Sequence, residues 1–155
     1  RLRELGIDTI VNLRQTGDLT RAEEAEAREL GLNYFNVPLP NWGRPQDDRV
    51  RRILLIIAAP QNGRVFVHCK EGVDRTGTIV ALHRVAHQGW SGHDAVAEAE
   101  RLGMRRIQFW MRDYAGEYGR SHPDFDDRLG VGARVVETYL HRAPGVLSKF
   151  FSGVF

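Results

Sequence analysis

The stretch Val65-Phe66-Val67-His68-Cys69-Lys70-Glu71-Gly72-Val73-Asp74-Arg75-Thr76-Gly77 decides how this chain is read. Val65, Phe66 and Val67 form an apolar run of β type that ends at His68 and Cys69. A short glycine-containing loop follows. Thr76 and Gly77 then lead into Ile79, Val80, Leu82, Val85 and Ala86, which recur at helical spacing. The order is strand, loop, helix. A loop entering a helix N-terminus aims backbone N–H groups at one point, and the helix dipole favours negative charge there. Arg75 adds a planar fork that matches the oxygens of a tetrahedral oxyanion. Cys69, the only cysteine, sits at the mouth of that loop. The donors that would hold an anion also stabilise a thiolate, lowering its pKa and making it a nucleophile. Gly72 is expected to supply a positive φ or a close backbone approach. Thr76 is placed to donate its hydroxyl to the sulfur.

His-Cys-x-x-Gly-x-x-Arg-Thr-Gly resembles the signature loop of the cysteine-dependent protein tyrosine phosphatase superfamily. The Thr-Gly after the arginine, and the helix behind it, resemble its dual-specificity branch. Leu5-Gly6-Ile7-Asp8-Thr9-Ile10-Val11-Asn12-Leu13-Arg14 resembles the early strand of that branch. Gly89-Trp90-Ser91, before an alanine-rich helix, is similar to bacterial and plant-type members. The resemblance covers most of residues 1–120.

It implies hydrolysis of a phosphomonoester in two steps, without cofactor or metal. Cys69 attacks phosphorus to give a phosphocysteine, and water then attacks that intermediate. Arg75 and the backbone amides of residues 70–75 hold the equatorial oxygens, where transition-state charge is spread. The substrate-binding set is therefore His68, Lys70, Glu71, Gly72, Val73, Asp74 and Arg75. The catalytic set is Cys69, Arg75, Asp74 and Thr76. His68 is read as an orienter in preference to a proton shuttle. His68, His83 and His87 make no ligand set with carboxylates at metal-site spacing, so they are read as helix-face histidines.

The chain departs from the family at the proton donor. Dual-specificity phosphatases commonly carry an aspartate on the loop after the second strand. Here that loop is Pro40-Asn41-Trp42-Gly43-Arg44-Pro45-Gln46-Asp47-Asp48, with Asn41 where some relatives have the acid. An amide cannot donate a proton as a carboxylic acid does. Asp47 or Asp48 is one replacement, the alternative being helix-start charge favoured by the dipole. Asp74 is the other, placed slightly ahead. Myotubularin and Sac-type phosphatases have an aspartate at that loop position. The alternative for Asp74 is a structural carboxylate paired with a base.

The length of 155 residues suits a single catalytic domain over 1–155. The abrupt start at Arg1 leads us to expect N-terminal sequence upstream. With 42% hydrophobic and 27% charged residues the chain reads as globular, and a formal net charge of +2 does not point to nucleic acid. One cysteine permits no internal disulfide and suits the reducing cytoplasm. No long apolar span is present.

Strands are expected at 7–14, 32–39 and 64–68. Helices are expected at 21–30, 46–59, 76–88, 93–102, 105–118 and 127–142. Thr20 and Glu23 have the spacing of a capping box for the first helix, and a polar break is read at 119–125. Strands among helices, with the anion loop at a strand's carboxyl end, predict an α/β fold. Its central, mostly parallel sheet carries helices on both faces and has the signature loop between strand and helix.

The expected partner is a phosphorylated protein, with a phosphoinositide as alternative. Lys70 at the loop is as in phosphatases that act on phosphoinositides, but a simple rim charge is the preferred reading, and Val73 stands where several such enzymes have a second lysine. Phosphate or sulfate would fit the loop. Arg14, Trp42 and Arg44 are candidates for its mouth, with packing on the core an equal alternative for Trp42. The stretch 140–155 carries Val146, Leu147, Phe150 and Phe151; packing on the domain is favoured over membrane or partner contact. A third reading is a phosphate-binding module with weak turnover.

Overall fold

The computed structural model describes residues 2–121. The elements are β1 (Thr9–Asn12), α1 (Asp18–Glu29), β2 (Asn33–Asn36), α2 (Asp47–Ala58), β3 (Val65–His68), α3 (Asp74–Gln88), α4 (Gly92–Arg101) and α5 (Phe109–Ser121). A 3-10 turn at Pro60–Asn62 precedes β3. The sheet has strand order β2-β1-β3, and both pairings are parallel.

Alternation along the strands builds two layers of core. Ile10 lies opposite Tyr34 and Phe66. These three join Ala27 and Leu32 in a small cluster under α1. Val11 lies opposite Phe35 and Val67 on the other face. There Val50, Ile53 and Leu54 of α2, Ile79 and Leu82 of α3, and Met111 and Tyr114 of α5 complete the main core. β1 is central and buried at all four positions, as a parallel strand covered on both faces must be. The α/β fold with helices on both faces is thus present.

Several boundaries differ from expectation. The first helix begins at Asp18, with Gly17 as its N-cap, so Thr20 is the third helical residue and not the cap. Thr20 Oγ1 accepts the Gly17 N–H at 2.9 Å. Asp18 in the first turn suits the helix dipole. Glu23 is thereby released from the capping role. α3 starts at Asp74, two residues earlier than its apolar period suggests, because polar loop residues supply its first turn. The final described helix starts at Phe109, not 105, and extends into the first residues of the expected polar break, as far as Ser121. Gly89 (φ 68) ends α3 in the left-handed conformation, and Ser91 caps α4 by accepting the Asp94 N–H at 3.1 Å. Among the described residues no helix is long and apolar enough to cross a membrane. The expected helix 127–142 and the apolar stretch after it lie outside the described residues.

Candidate active site

The parallel register brings the carboxyl ends of β1 and β3 level, with Asn12 opposite His68. The chain beyond β1 then grips the loop beyond β3. The Leu13 N–H donates to the His68 carbonyl at 2.8 Å. The Leu13 carbonyl accepts from Arg75 Nη1 at 3.1 Å. One residue's main chain therefore braces both ends of the loop 69–75.

Inside it, Cys69 is only 3% exposed. Burial pushes its thiol up, but the Thr76 hydroxyl and N–H, the Arg75 guanidinium and the Glu71 N–H outweigh burial. The thiol is held below its ordinary value. The buried Thr76 hydroxyl bonds no oxygen or nitrogen among the described residues, which leaves it for the sulfur. Gly72 is buried with φ 71, a conformation that a side chain would strain. Lys70 and Glu71 stand exposed at the rim, and Val73 is half-buried.

His68 is buried behind the nucleophile. Its Nδ1 lies 3.1 Å from the Cys69 carbonyl, and its Nε2 lies 2.9 Å from Glu23. The other Glu23 oxygen accepts from the Asn12 amide and, at 3.2 Å, from the Tyr34 hydroxyl. Burial pushes the Glu23 carboxyl up, but His68, Tyr34 and Asn12 together hold it below the usual carboxylate range. Glu23 is a site residue that sequence reasoning missed. Its spacing from Thr20 pointed to a cap, and no local pattern signals a contact across to β3.

Asp74 is engaged on both oxygens by Arg105. Oδ1 accepts the Arg105 N–H at 2.9 Å, and Oδ2 accepts Nε at 2.8 Å together with a second guanidinium nitrogen. The same guanidinium is 3.4 Å from Glu71. Arg105 too went unread in the sequence. It lies thirty-one positions from Asp74 and follows a turn, not a motif.

On the loop after β2, Asn41 is exposed, and its carbonyl accepts from Gln108 Nε2 at 3.2 Å. The Trp42 ring meets Trp110 edge-on at 5.1 Å. Asp47 accepts from the Tyr114 hydroxyl at 2.8 Å, and the Arg44 guanidinium lies 4.6 Å over the Tyr114 ring. Asp48 is exposed at the start of α2. His83 and His87 sit away from this loop on α3, with ring centroids 5.1 Å apart. Among the described residues no group of three His, Cys, Asp or Glu side chains is arranged to hold a metal ion.

Residues 1–112 match the family model described as a DSP-PTPase phosphatase fused to NAD+ kinase. The chain belongs to this family. A dual specificity protein phosphatase, TpbA of Pseudomonas aeruginosa, is 33% identical over 104 residues, covering 66% of this chain and 45% of TpbA. The chain thus spans just under half the length of that relative. The solved structure of P. aeruginosa TpbA superposes with a TM-score of 0.58 at 26% identity, covering 76% of each chain, and TpbA has also been solved with pTyr bound. The core catalytic domain of the PP-IP phosphatase SIW14 from S. cerevisiae shares the fold, with a TM-score of 0.63 at 18% identity over 79% of this chain and 77% of its own. The dual-specificity resemblance of the signature loop and the α/β architecture therefore agree with the family.

Proposed function

We propose that this domain is a cysteine-dependent phosphatase that hydrolyses phosphomonoesters, with phosphotyrosine-type protein substrates as its class. One observation carries the reading: a buried thiol with a lowered pKa lies at the N-terminus of α3, beside a guanidinium that the Leu13 carbonyl holds in place. Binding alone needs the arginine and the amides but not an activated thiol, and this disfavours a module without turnover.

In the first step the Cys69 sulfur forms a bond to phosphorus as the ester P–O bond breaks. Arg75 and the loop amides hold the three remaining oxygens. In the second step water attacks phosphorus, the S–P bond breaks, and inorganic phosphate leaves. Thr76 stabilises the thiolate on both occasions. His68, tied to Glu23, fixes the Cys69 carbonyl and hence the entry to the loop.

The leaving oxygen needs a proton. We assign Asp74 to positioning, because its two oxygens accept from the Arg105 N–H and the Arg105 guanidinium. Protonation falls to the carboxylates that open α2, Asp47 and Asp48, or to water. Aryl phosphates, whose leaving groups need little help, are then the favoured substrates. A nucleophilic thiol must stay reduced, so we place the reaction in the cytoplasm.

The test is hydrolysis of nitrophenyl phosphate, sensitive to vanadate and lost in Cys69→Ser. Activity that survives this substitution overturns the proposal. A panel of phosphopeptides and phosphoinositides then decides the substrate class. Preference for the inositol lipids would move the assignment to the Lys70 reading.

A further inference from the structure

A cavity of about 700 Å³ opens between α4 and α5, and its described lining includes no residue of the signature loop. The two helices meet there through glycine. A Cβ on Gly92 would run into the Gly116 carbonyl, so the backbones touch and the floor between the helices stays low. Trp90, Val96 and Ala97 give the groove an apolar wall, and Trp90 is 37% exposed. The α5 wall is acidic: Asp113 and Glu117 stand exposed one helical turn apart. Arg112 does not offset them, because it is paired with Glu100 at 2.5 Å, and Arg120 is the remaining basic residue of α5 in the lining. No described element covers this groove. The chain itself leads to it, since Gly119 and Arg120 line it and α5 ends directly afterwards, at Ser121.

We propose that residues 127–142 of this chain fold back antiparallel to α5 and fill the groove. In the helix expected there from the sequence, Leu129, Ala133, Val136 and Leu140 recur at i, i+4, i+7 and i+11, which is one stripe. A helix of that length is marginal alone, and Gly130 and Gly132 weaken it further, so its stability must come from a seat for the stripe. The connection 122–126 falls within the lengths that join antiparallel helical neighbours. A return through it sets residue 127 level with 121 and residue 135 level with 113. Arg134 then comes within a residue of the level of Asp113. Charge agrees along the whole segment: residues 128–142 carry three arginines and one glutamate, which suits an acidic wall. The short tether also holds this segment at a high effective concentration beside the groove, which favours it over a free partner or a second copy.

The experiment is limited trypsin digestion of the full chain, with a synthetic peptide of residues 122–145 as the undocked reference. Cleavage after Arg134, in the middle of the segment, is followed by mass spectrometry. Docking is expected to slow that cut at least about tenfold against the peptide, because the protease takes only the open form. Ala97→Glu sets a carboxylate under the apolar stripe, on a helix that does not adjoin the segment, and should bring the cut back to the peptide's rate. Where Ala97→Glu fails to fold, as its melting curve shows, Ala97→Gln takes its place. The double substitution Val136→Asp, Leu140→Asp should release the segment from the other side. A wild-type cut as fast as the peptide's overturns the inference. Protection that survives either the groove or the segment substitutions overturns it too, since the segment is then seated elsewhere. So does protection that is lost on dilution, which would put a second copy in the groove. The readout makes no use of catalysis, so its failure and that of the phosphatase reading are separate events.

Discussion

Replacing Asp74 by asparagine separates two roles that the sequence left open. In the wild type one carboxylate accepts a backbone N–H and two guanidinium nitrogens of Arg105. Asparagine keeps one acceptor oxygen and turns an NH₂ towards a donor. Hydrogen bonds to a charged group are worth about 1.5–3 kcal/mol and neutral ones about 1 kcal/mol. The Arg105 side chain is about half exposed, so solvent screens part of the difference. The expected cost is about 1–2 kcal/mol of stability, seen as a melting temperature lower by about 5 °C. Activity discriminates more sharply. A positioning role predicts that aryl and alkyl phosphates slow together, by less than about tenfold, and that Arg105→Met does the same. An acid role predicts that glycerol phosphate slows by a further factor of roughly 10²–10⁴, while nitrophenyl phosphate barely changes. That selective loss, measured as kcat/KM for the two esters at one pH, would refute the positioning assignment.

Two further outcomes follow from buried titratable groups. Glu23 is held below the usual carboxylate range in the folded protein, so the stability it contributes is present above its unfolded pKa and is lost as pH falls through the folded value. Glu23→Gln should therefore be less stable near neutrality and show a shallower acid decline in melting temperature. Parallel declines would remove Glu23 from the account. His83 is buried, with neither ring nitrogen hydrogen-bonded among the described residues, and burial first, then His87 and Arg84, push it down to about 4. The unfolded chain takes up a proton there before the folded one does, so stability falls as pH drops from about 6.5 towards 4. Between pH 7 and pH 5, His83→Phe should remove about 2 kcal/mol of that acid sensitivity. Denaturant titrations at pH 7 and pH 5 would reveal it, and an unchanged difference would refute it.

The parts legible in the sequence are those that neighbours along the chain create together. Val65–Val67 alternate between the two faces, Gly72 sits where the loop turns through positive φ, and Ile79 to Leu82 mark the buried side of α3. The spacing of Cys69, Arg75 and Thr76 belongs to one continuous segment, so its geometry could be foreseen. What could not be foreseen comes from segments that meet only after folding. Glu23 reaches His68 from α1, Arg105 reaches Asp74 from beyond α4, and Gln108 reaches Asn41. None of these has a local signal, because each contact is set by how helices seat on the sheet. The misplaced start of α1 has the same origin. Thr20 and Glu23 have the spacing of a cap, but Gly17 and Asp18 open the helix a turn earlier, and β3 claims Glu23.

The tie between Arg75 and Leu13 runs to a peptide oxygen, which every amino acid supplies. No replacement of the side chain at position 13 can delete it. The aim of the guanidinium is therefore insulated from point changes at its own anchor. Its vulnerability lies instead in the strand ladder: an insertion or slip that moved β1 by one residue against β3 would carry the wrong carbonyl to that place and turn the arginine away.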